Sequence, residues 1–581
     1  MNIMRTEYPR PDFIRGEWMN LNGEWDFEID NSLSGKDREF YLRSSLDKKI
    51  NVPFCPESKL SGIENKDFMN CVWYRKDFDV PKEWKNKKII LHFGAADYHT
   101  YVYINGKLAG EHVGGYTPFS FDITEFLNEE GNYICVCCED DVRSVNQPSG
   151  KQSTKYHSWH CSYTRTTGIW QSVWLEPLNS VNIDKIKTFA DISTPSLNIE
   201  AVLKGDFCGA VLCVEAFWQG KSVGKKEVEI SSQCTTLNLE LSEKHLWEPG
   251  VGNLYDLKLE VKKDGEIFDS VDSYFGLRTV TLDGRAFKIN GKTVFGRWVL
   301  DQGFYADGIY TAPKKEDLEA DIIYSTQLGF NGARLHEKVF EPYFLYYADK
   351  HGYLVWDEHA NWGMPTTKAE FLESFLSEWL EIVERDFNHP SVIGWCPFNE
   401  TASLESNNNQ KQDDMILKCV YYATKAIDKT RPVIDTSGHS HVVPEIYDVH
   451  NYEQDPAKLK AHYENVINGE IGDHWCVGTK YDGKMPVFVS EYGGTGWAID
   501  KKGWSYGNAP KTEEEFIERY KGLTEALLHN KGIMGFCYTQ LYDIEQEQNG
   551  LMTYDRKYKF DPEIFKKINS QKAAIEKEDE N

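Results

Sequence analysis

Long apolar runs are missing from this 581-residue chain. None approaches the roughly 20 residues that a membrane-spanning helix needs. The opening Met1-Asn-Ile-Met-Arg-Thr-Glu-Tyr-Pro-Arg-Pro11 is too polar for the core of a secretory signal. Basic charge is also short: 65 Lys and Arg face 91 Asp and Glu, a net charge of −26, which disfavours nucleic acid and anionic membrane surfaces as partners. There is no Gly-rich phosphate loop, so no nucleotide or redox cofactor is expected. With no HExxH and no pair of CxxC motifs, zinc is not expected either; Gly438-His-Ser-His441 is only a weak metal hint. The 13 cysteines are odd in number. Several of them (Cys135, Cys137, Cys138, Cys213) sit in apolar strand patterns, which points to a reduced, cytoplasmic protein and gives no reason to pair Cys213 with Cys234.

What the chain has instead is aromatic bulk: 14% of its residues, with 17 Trp and 32 Tyr. These suit large cores, and some suit platforms for stacking against sugars. The length allows two to four domains. Residues 1–181 read as all-β. Asn22-Gly23 and Asn105-Gly106 are turn signals between strand-like runs, and many short strands without a long helical period imply a sandwich. Residues 182–277 alternate in Leu197–Leu203, Ala210–Ala216 and Leu254–Val261, which fits a small immunoglobulin-like sandwich. From 278 to 581 the texture changes to short apolar runs alternating with amphipathic stretches such as Phe371–Phe387 and Glu513–His529. The runs begin near Val294, Gly332, Tyr353, Val392, Val433, Ile446, Val487 and Ile533. Eight of them over this length predict a (β/α)₈ barrel. The charged tail, Lys572 to Asn581, is expected to be disordered.

Barrel enzymes carry their chemistry at the C-terminal ends of the strands. Here those ends read Arg334-Leu-His336-Glu337-Lys338, Asp357-Glu358-His359, Asn399-Glu400, His450-Asn451-Tyr452, Glu491-Tyr492 and Tyr538-Thr-Gln540. Two apolar runs each deliver a glutamate: Ser391-Val-Ile-Gly-Trp-Cys-Pro-Phe-Asn-Glu400, and Pro486-Val-Phe-Val-Ser-Glu491. They are the fourth and seventh runs, which face each other across a barrel mouth. Paired carboxylates can cleave a glycosidic bond, one as proton donor and one as nucleophile or base. The bland alternative is that both merely pair with arginines at the rim.

At these residues the chain resembles family 2 glycoside hydrolases, the group of β-galactosidases, β-glucuronidases and β-mannosidases. Trp73-Tyr-Arg75, Tyr103-Ile-Asn-Gly106, Gly114-Gly-Tyr-Thr-Pro-Phe119 and Gly168-Ile-Trp-Gln-Ser-Val-Trp-Leu-Glu176 resemble the family's N-terminal sugar-binding jelly roll. Phe287-Lys-Ile-Asn-Gly-Lys-Thr-Val294 looks like the barrel entrance, and His389 to Glu400 like the acid/base signature. The resemblance implies Glu400 as general acid/base and Glu491 as nucleophile. It further implies Asn399 as partner of the sugar 2-hydroxyl, and Arg334 and Tyr452 as groups steadying the nucleophile.

Departures from the family pattern fall where the sugar is chosen. His336, Glu337 and Lys338 replace the usual residues after Arg334, and Tyr538-Thr-Gln540 stands where a tryptophan is usual. The uronate-gripping Asn-x-Lys is absent around Gln548-Asn549-Gly550, which leaves Arg297 or Lys338 as the cation for an acidic sugar. Trp362, in the loop Asn361-Trp-Gly-Met-Pro365, joins Tyr538 and Asn549 as an expected sugar contact. The expected activity is retaining exo-hydrolysis of small β-glycosides, β-galactosides first and β-uronides (glucuronide or galacturonide) second. A non-catalytic carbohydrate-binding protein is the remote third. Relatives often oligomerise and some hold a divalent ion near the acid/base, so the resemblance admits a homo-oligomer and assigns no metal.

Overall fold

Side-chain alternation along the first strands sets up the first layer pair. In Lys88–Phe93, for example, Ile89, Leu91 and Phe93 point inward while Lys88 is exposed and Ile90 and His92 are half-covered. In the computed structural model, which describes residues 4–401, 412–438, 440–472, 479–498 and 503–580, these strands form a four-stranded and a six-stranded antiparallel sheet. Trp25, Phe27, Tyr74, Leu91, Val136 and Leu175 pack between them. This is the expected jelly-roll sandwich. Asn105-Gly106 turns a tight hairpin between His99–Ile104 and Lys107–Val113, with φ of +51° and +79°. Asn22-Gly23 does something else. Met19–Asn20 pairs in one sheet and Gly23–Ile29 in the other, so the chain crosses layers there. The Asn22 side chain makes the corner by donating to the Arg5 carbonyl and accepting from the Val173 amide.

Seven further strands, from Val181–Asp191 to Glu266–Phe275, form three- and four-stranded antiparallel sheets around one apolar core, the immunoglobulin-like sandwich. A small meander then leads into the barrel and its Phe287 and Ile289 join the barrel's interior core.

The barrel strands are Gly296–Asp301, Gly332–Leu335, Leu354–Glu358, Val392–Cys396, Tyr447–Asn451, Val487–Gly493 and Ile533–Thr539, all parallel. The run at Val433 forms no strand. It fills the fifth position through two parallel bridges, Trp395 to Val433 and Asn399 to Ser437. Trp298, Trp356 and Phe488 plug the interior, with the Trp298 ring 4.9 Å from Phe488 and 6.0 Å from Trp356. Such bulk demands a gap opposite. A Cβ on Gly394 would lie 1.9 Å from the Trp356 ring, which explains the glycine inside the Val-Ile-Gly-Trp run.

The tail departs from expectation. Residues Ile575–Glu580 form a short helix, Ala573 and Ile575 are buried, and Glu576 pairs with Arg297 at 2.8 Å. Apolar residues inside a charged segment gave it something to bury. Among the described residues no helix is long and apolar enough to cross a membrane.

The jelly roll is docked on the barrel. Tyr116 donates its amide to Glu378, on the helix Phe371–Asp386, at 2.8 Å, and a Cβ on Gly114 would lie 2.9 Å from the same carboxylate. The Gly-Gly-Tyr motif therefore serves the domain interface.

Candidate active site

Strand direction brings the strand-end residues to one rim, and Arg334 is their hub. It is fully buried on the Gly332–Leu335 strand. Its guanidinium donates to Glu358 at 2.6 Å, to Glu491 at 3.0 Å and to Asn399 at 2.8 Å. A planar fork of donors suits this three-way grip in a way that a lysine would not. Glu358 accepts the Glu337 amide at 3.0 Å and faces His336 Nδ1 at 3.0 Å. Burial works against its charge, but Arg334 and His336 outweigh this and hold the Glu358 carboxyl down at about 2.

Glu491 is received from the other side by the Tyr452 hydroxyl, whose ring stacks on Tyr506 at 3.7 Å. Burial pushes the Glu491 carboxyl up, yet His450 and Arg334 prevail and keep it below the ordinary range. Glu400 sits differently. Its side chain is 29% exposed against 5% for Glu491, and its backbone has φ +47°, pinned by a 3.0 Å bond from its amide to Ser437. A non-glycine residue held in the left-handed region is strained, and such strain gathers at functional sites.

His450 joins the two. Its Nδ1 lies 2.7 Å from Glu400 and its Nε2 3.4 Å from Glu491. Burial lowers its basicity, but Glu491 and Glu400 overcome that and favour the imidazolium. One oxygen of each glutamate and one His450 nitrogen lie within 4.8 Å of one another. That set is also the one group among the described residues that could hold a metal ion. Of the weak Gly438-His-Ser-His441 hint, His439 lies outside the described residues. His441 is engaged with Asp435 and the Asp448 carbonyl, each at 2.7 Å.

Asn399 receives the Arg334 bond on its oxygen and leaves its buried side-chain nitrogen without a partner, the posture of a donor awaiting a ligand. Trp362 donates from its ring to the Asn399 carbonyl at 3.3 Å and from its amide to Glu337 at 3.1 Å. Burial, and Glu358 beside it, push the Glu337 carboxyl far up, against the pull of Lys151. Lys151 ends 3.6 Å over the Trp362 ring.

Three sequence expectations do not reach the rim. Lys338 turns back into the wall, donating to the carbonyls of Gly303 and Tyr310, and burial pushes it down to about 7. Arg297 lies at the opposite end of the barrel, tied to Glu576 and the carbonyls of Asn569 and Gln571. Tyr538 falls on the outward face of its strand, between Tyr492 and Tyr520 at 5.5 and 4.9 Å. The next residue, Thr539, is the one that touches Tyr452, at 3.2 Å. Asn549 is fully buried in a relay: it accepts from Gln540 at 2.8 Å and donates to Glu547 at 3.0 Å, while Tyr163 of the jelly roll donates to Glu547. Burial raises the Glu547 carboxyl to about 7. Lys151, Tyr163 and Glu547 escaped the sequence reading. The available signal was the stretch 145–167, too long and irregular for a sandwich connection without a purpose.

A parallel barrel with two facing carboxylates at its C-terminal rim, roofed by a β-sandwich, is the architecture of barrel glycoside hydrolases. Residues 18–176 match the sugar binding domain of glycosyl hydrolases family 2, residues 213–278 match glycosyl hydrolases family 2, and residues 280–570 match the family's TIM barrel domain. The chain belongs to glycosyl hydrolase family 2. It is 28% identical to a β-galactosidase of Thermoanaerobacter pseudethanolicus over 64% of this chain and 49% of that protein. It is 25% identical to a β-glucuronidase of Streptococcus agalactiae over 67% of each. It spans about half the length of the first curated relatives it matches. The β-glucuronidase of Ruminococcus gnavus, solved in complex with D-glucuronic acid, shares the fold. It has a TM-score of 0.79 and 20% identity, and the match covers 97% of this chain and 99% of that one.

Proposed function

We propose that this chain is a retaining, exo-acting β-glycosidase that removes terminal β-linked uronic acids from small glycosides or glycoconjugates. The observation that carries the chemistry is the spacing of Glu400 and Glu491, with oxygens within 4.8 Å. Retention needs carboxyl groups about 5–5.5 Å apart, whereas inversion needs about 6.5–9.5 Å to admit a water. The electrostatics agree: Glu491 is buried, gripped by Arg334 and Tyr452 and kept ionised, as a nucleophile must be. In the first step Glu491 attacks the anomeric carbon as the glycosidic bond breaks, and Glu400 gives its proton to the departing oxygen. In the second, Glu400 takes a proton from water, the water oxygen bonds to the anomeric carbon, and Glu491 leaves with its bonding electrons.

The choice of a uronide over the galactoside anticipated from the sequence leans on the relatives and fold neighbours named as glucuronidases. The galactoside keeps two observations in its favour, a relative named as a β-galactosidase and the carboxyl of Glu547 near the same mouth. A panel of 4-nitrophenyl β-glycosides tests both. The uronide reading expects glucuronide or galacturonide to be turned over with the higher kcat/KM; a clear lead for the galactoside sinks it.

A further inference from the structure

Among the described residues near the mouth of the barrel, Lys151 is a cation whose ammonium has no hydrogen-bond partner. Arg334 is bonded on every side, Lys338 is held by two carbonyls, and Arg297 is at the far end of the barrel. Lys151 is 5% exposed, and among the described residues its ammonium makes no hydrogen bond or ion pair; it ends over the face of Trp362, within electrostatic reach of Cys161, Glu337, Glu400 and Glu491. Burying an ammonium unpaired is costly, so such a group marks a place where an anion is expected to arrive.

Its placement is built, not incidental. The preceding residues are stapled to the barrel: the amides of Ser149 and Gly150 both donate to the Trp362 carbonyl, at 2.8 and 3.1 Å. Gly150 has φ +53°, and a Cβ there would lie 2.2 Å from the Glu337 carbonyl, so only glycine permits the approach. Downstream, the Lys151 carbonyl accepts the Tyr163 amide at 2.7 Å. The lysine is thus delivered by one domain onto a tryptophan of another, within electrostatic reach of Glu400 and Glu491.

The charge balance points the same way. Arg334 offsets Glu358, and His450 offsets Glu491. Burial and Glu358 push the Glu337 carboxyl well above the usual range. With Glu400 protonated, as its proposed role requires, Lys151 is left with no hydrogen-bonded counter-charge; Glu547, at about 7, acts on it electrostatically without a bond.

We propose that Lys151 receives the carboxylate of the substrate sugar, so that the jelly roll supplies the specificity-determining cation of a site otherwise built by the barrel. This rests on the uronide reading above. It accounts for an acid sugar being accepted where Leu551, two places after Asn549, stands in place of the customary lysine. A charge-assisted hydrogen bond of this kind is worth about 10- to 100-fold in binding.

The test uses Lys151→Met, which preserves the apolar stem over Trp362, and Lys151→Arg, which restores charge. kcat/KM is measured for 4-nitrophenyl β-D-glucuronide against the β-D-glucoside, and for the galacturonide against the galactoside. Lys151→Met is expected to lower the acid-to-neutral ratio about 10- to 100-fold, and Lys151→Arg to recover most of it. The ratio is internal to each preparation, so partial misfolding does not move it. If Lys151→Met yields no folded protein, the Lys151→Arg ratio and competitive inhibition of the native chain by D-glucuronate against D-glucose decide. No advantage for the acid there overturns the proposal. An unchanged ratio in Lys151→Met, with the native chain still preferring uronides, overturns the role of Lys151 and leaves the uronide reading standing. A native chain that prefers the neutral sugars overturns both.

Discussion

Two arginines in one barrel, one fully buried and one half-buried, both on strands and both ion-paired, do different work because of the end they occupy. Arg297 lies at the entry end, where its donors close over Glu576 and the carbonyls of Asn569 and Gln571 and lock the C-terminal tail. Arg334 lies on the neighbouring strand at the exit end, where it shares its donors among Glu358, Glu491 and Asn399. The first arrangement uses up every donor on structure. The second sets the ionisation of the proposed nucleophile. An arginine in such a barrel is therefore read from its depth along the strand, not from its chemistry.

The strongest test of the exit end is Glu491→Ala. It should lower kcat by about 10⁴-fold or more with the fold intact by circular dichroism, and substantial residual turnover would remove Glu491 from the nucleophile role.

The comparison itself is tested by the paired variants Arg334→Met and Arg297→Met. Arg334→Met strips Glu358 of its buried counter-charge and Glu491 of one of its donors, so kcat should fall by about 10²- to 10³-fold and stability by about 3–5 kcal/mol in urea unfolding. Arg297→Met should lower the unfolding midpoint while kcat per folded molecule stays within about twofold. Equal losses of kcat in the two would dissolve the distinction drawn here.

His450→Gln sharpens the exit end further. The imidazolium keeps Glu491 ionised, so its removal raises the Glu491 pKa. The acidic limb of the pH–kcat/KM profile should move to higher pH, with a loss of about 10- to 100-fold at the optimum. A limb that does not move would assign His450 to packing alone.

The smallest effect concerns the domain interface. Burial raises Glu378 from 4.5 to about 8. A carboxyl whose folded value is raised contributes stability that is complete below about pH 4.5 and is lost as pH climbs through about 8. Between pH 6 and 9 the melting temperature should therefore fall, and in Glu378→Gln it should fall by about 2 to 4 °C less. Parallel curves for the two proteins would count against that assignment.

Glu400, Glu491, Arg334, Asn399 and Tyr452 were legible as site candidates because each ends a short strand, and parallel barrel strands present their ends at one rim. The layer order was equally legible, since period-two alternation and alternating strand and helix patterns are local properties. Asn22-Gly23 shows the limit of such signals: the same dipeptide that closes a hairpin can cross between sheets, and only the partners of Asn22 decide. Tyr538 shows another. A one-residue step along a strand exchanges the inner and outer faces, so the residue that reaches Tyr452 is Thr539.

The sequence by itself determined the three-layer succession, the family and the pair of glutamates, because these rest on periodicity and on motifs contiguous in the chain. Only the tertiary structure decided which cation attends the site. Lys338 and Arg297 lie in the barrel sequence and are spent on its walls, while Lys151 lies 249 residues before Glu400 in a different domain. Its nearness to the site arises from packing one domain on another, a contact between distant segments that no local pattern encodes.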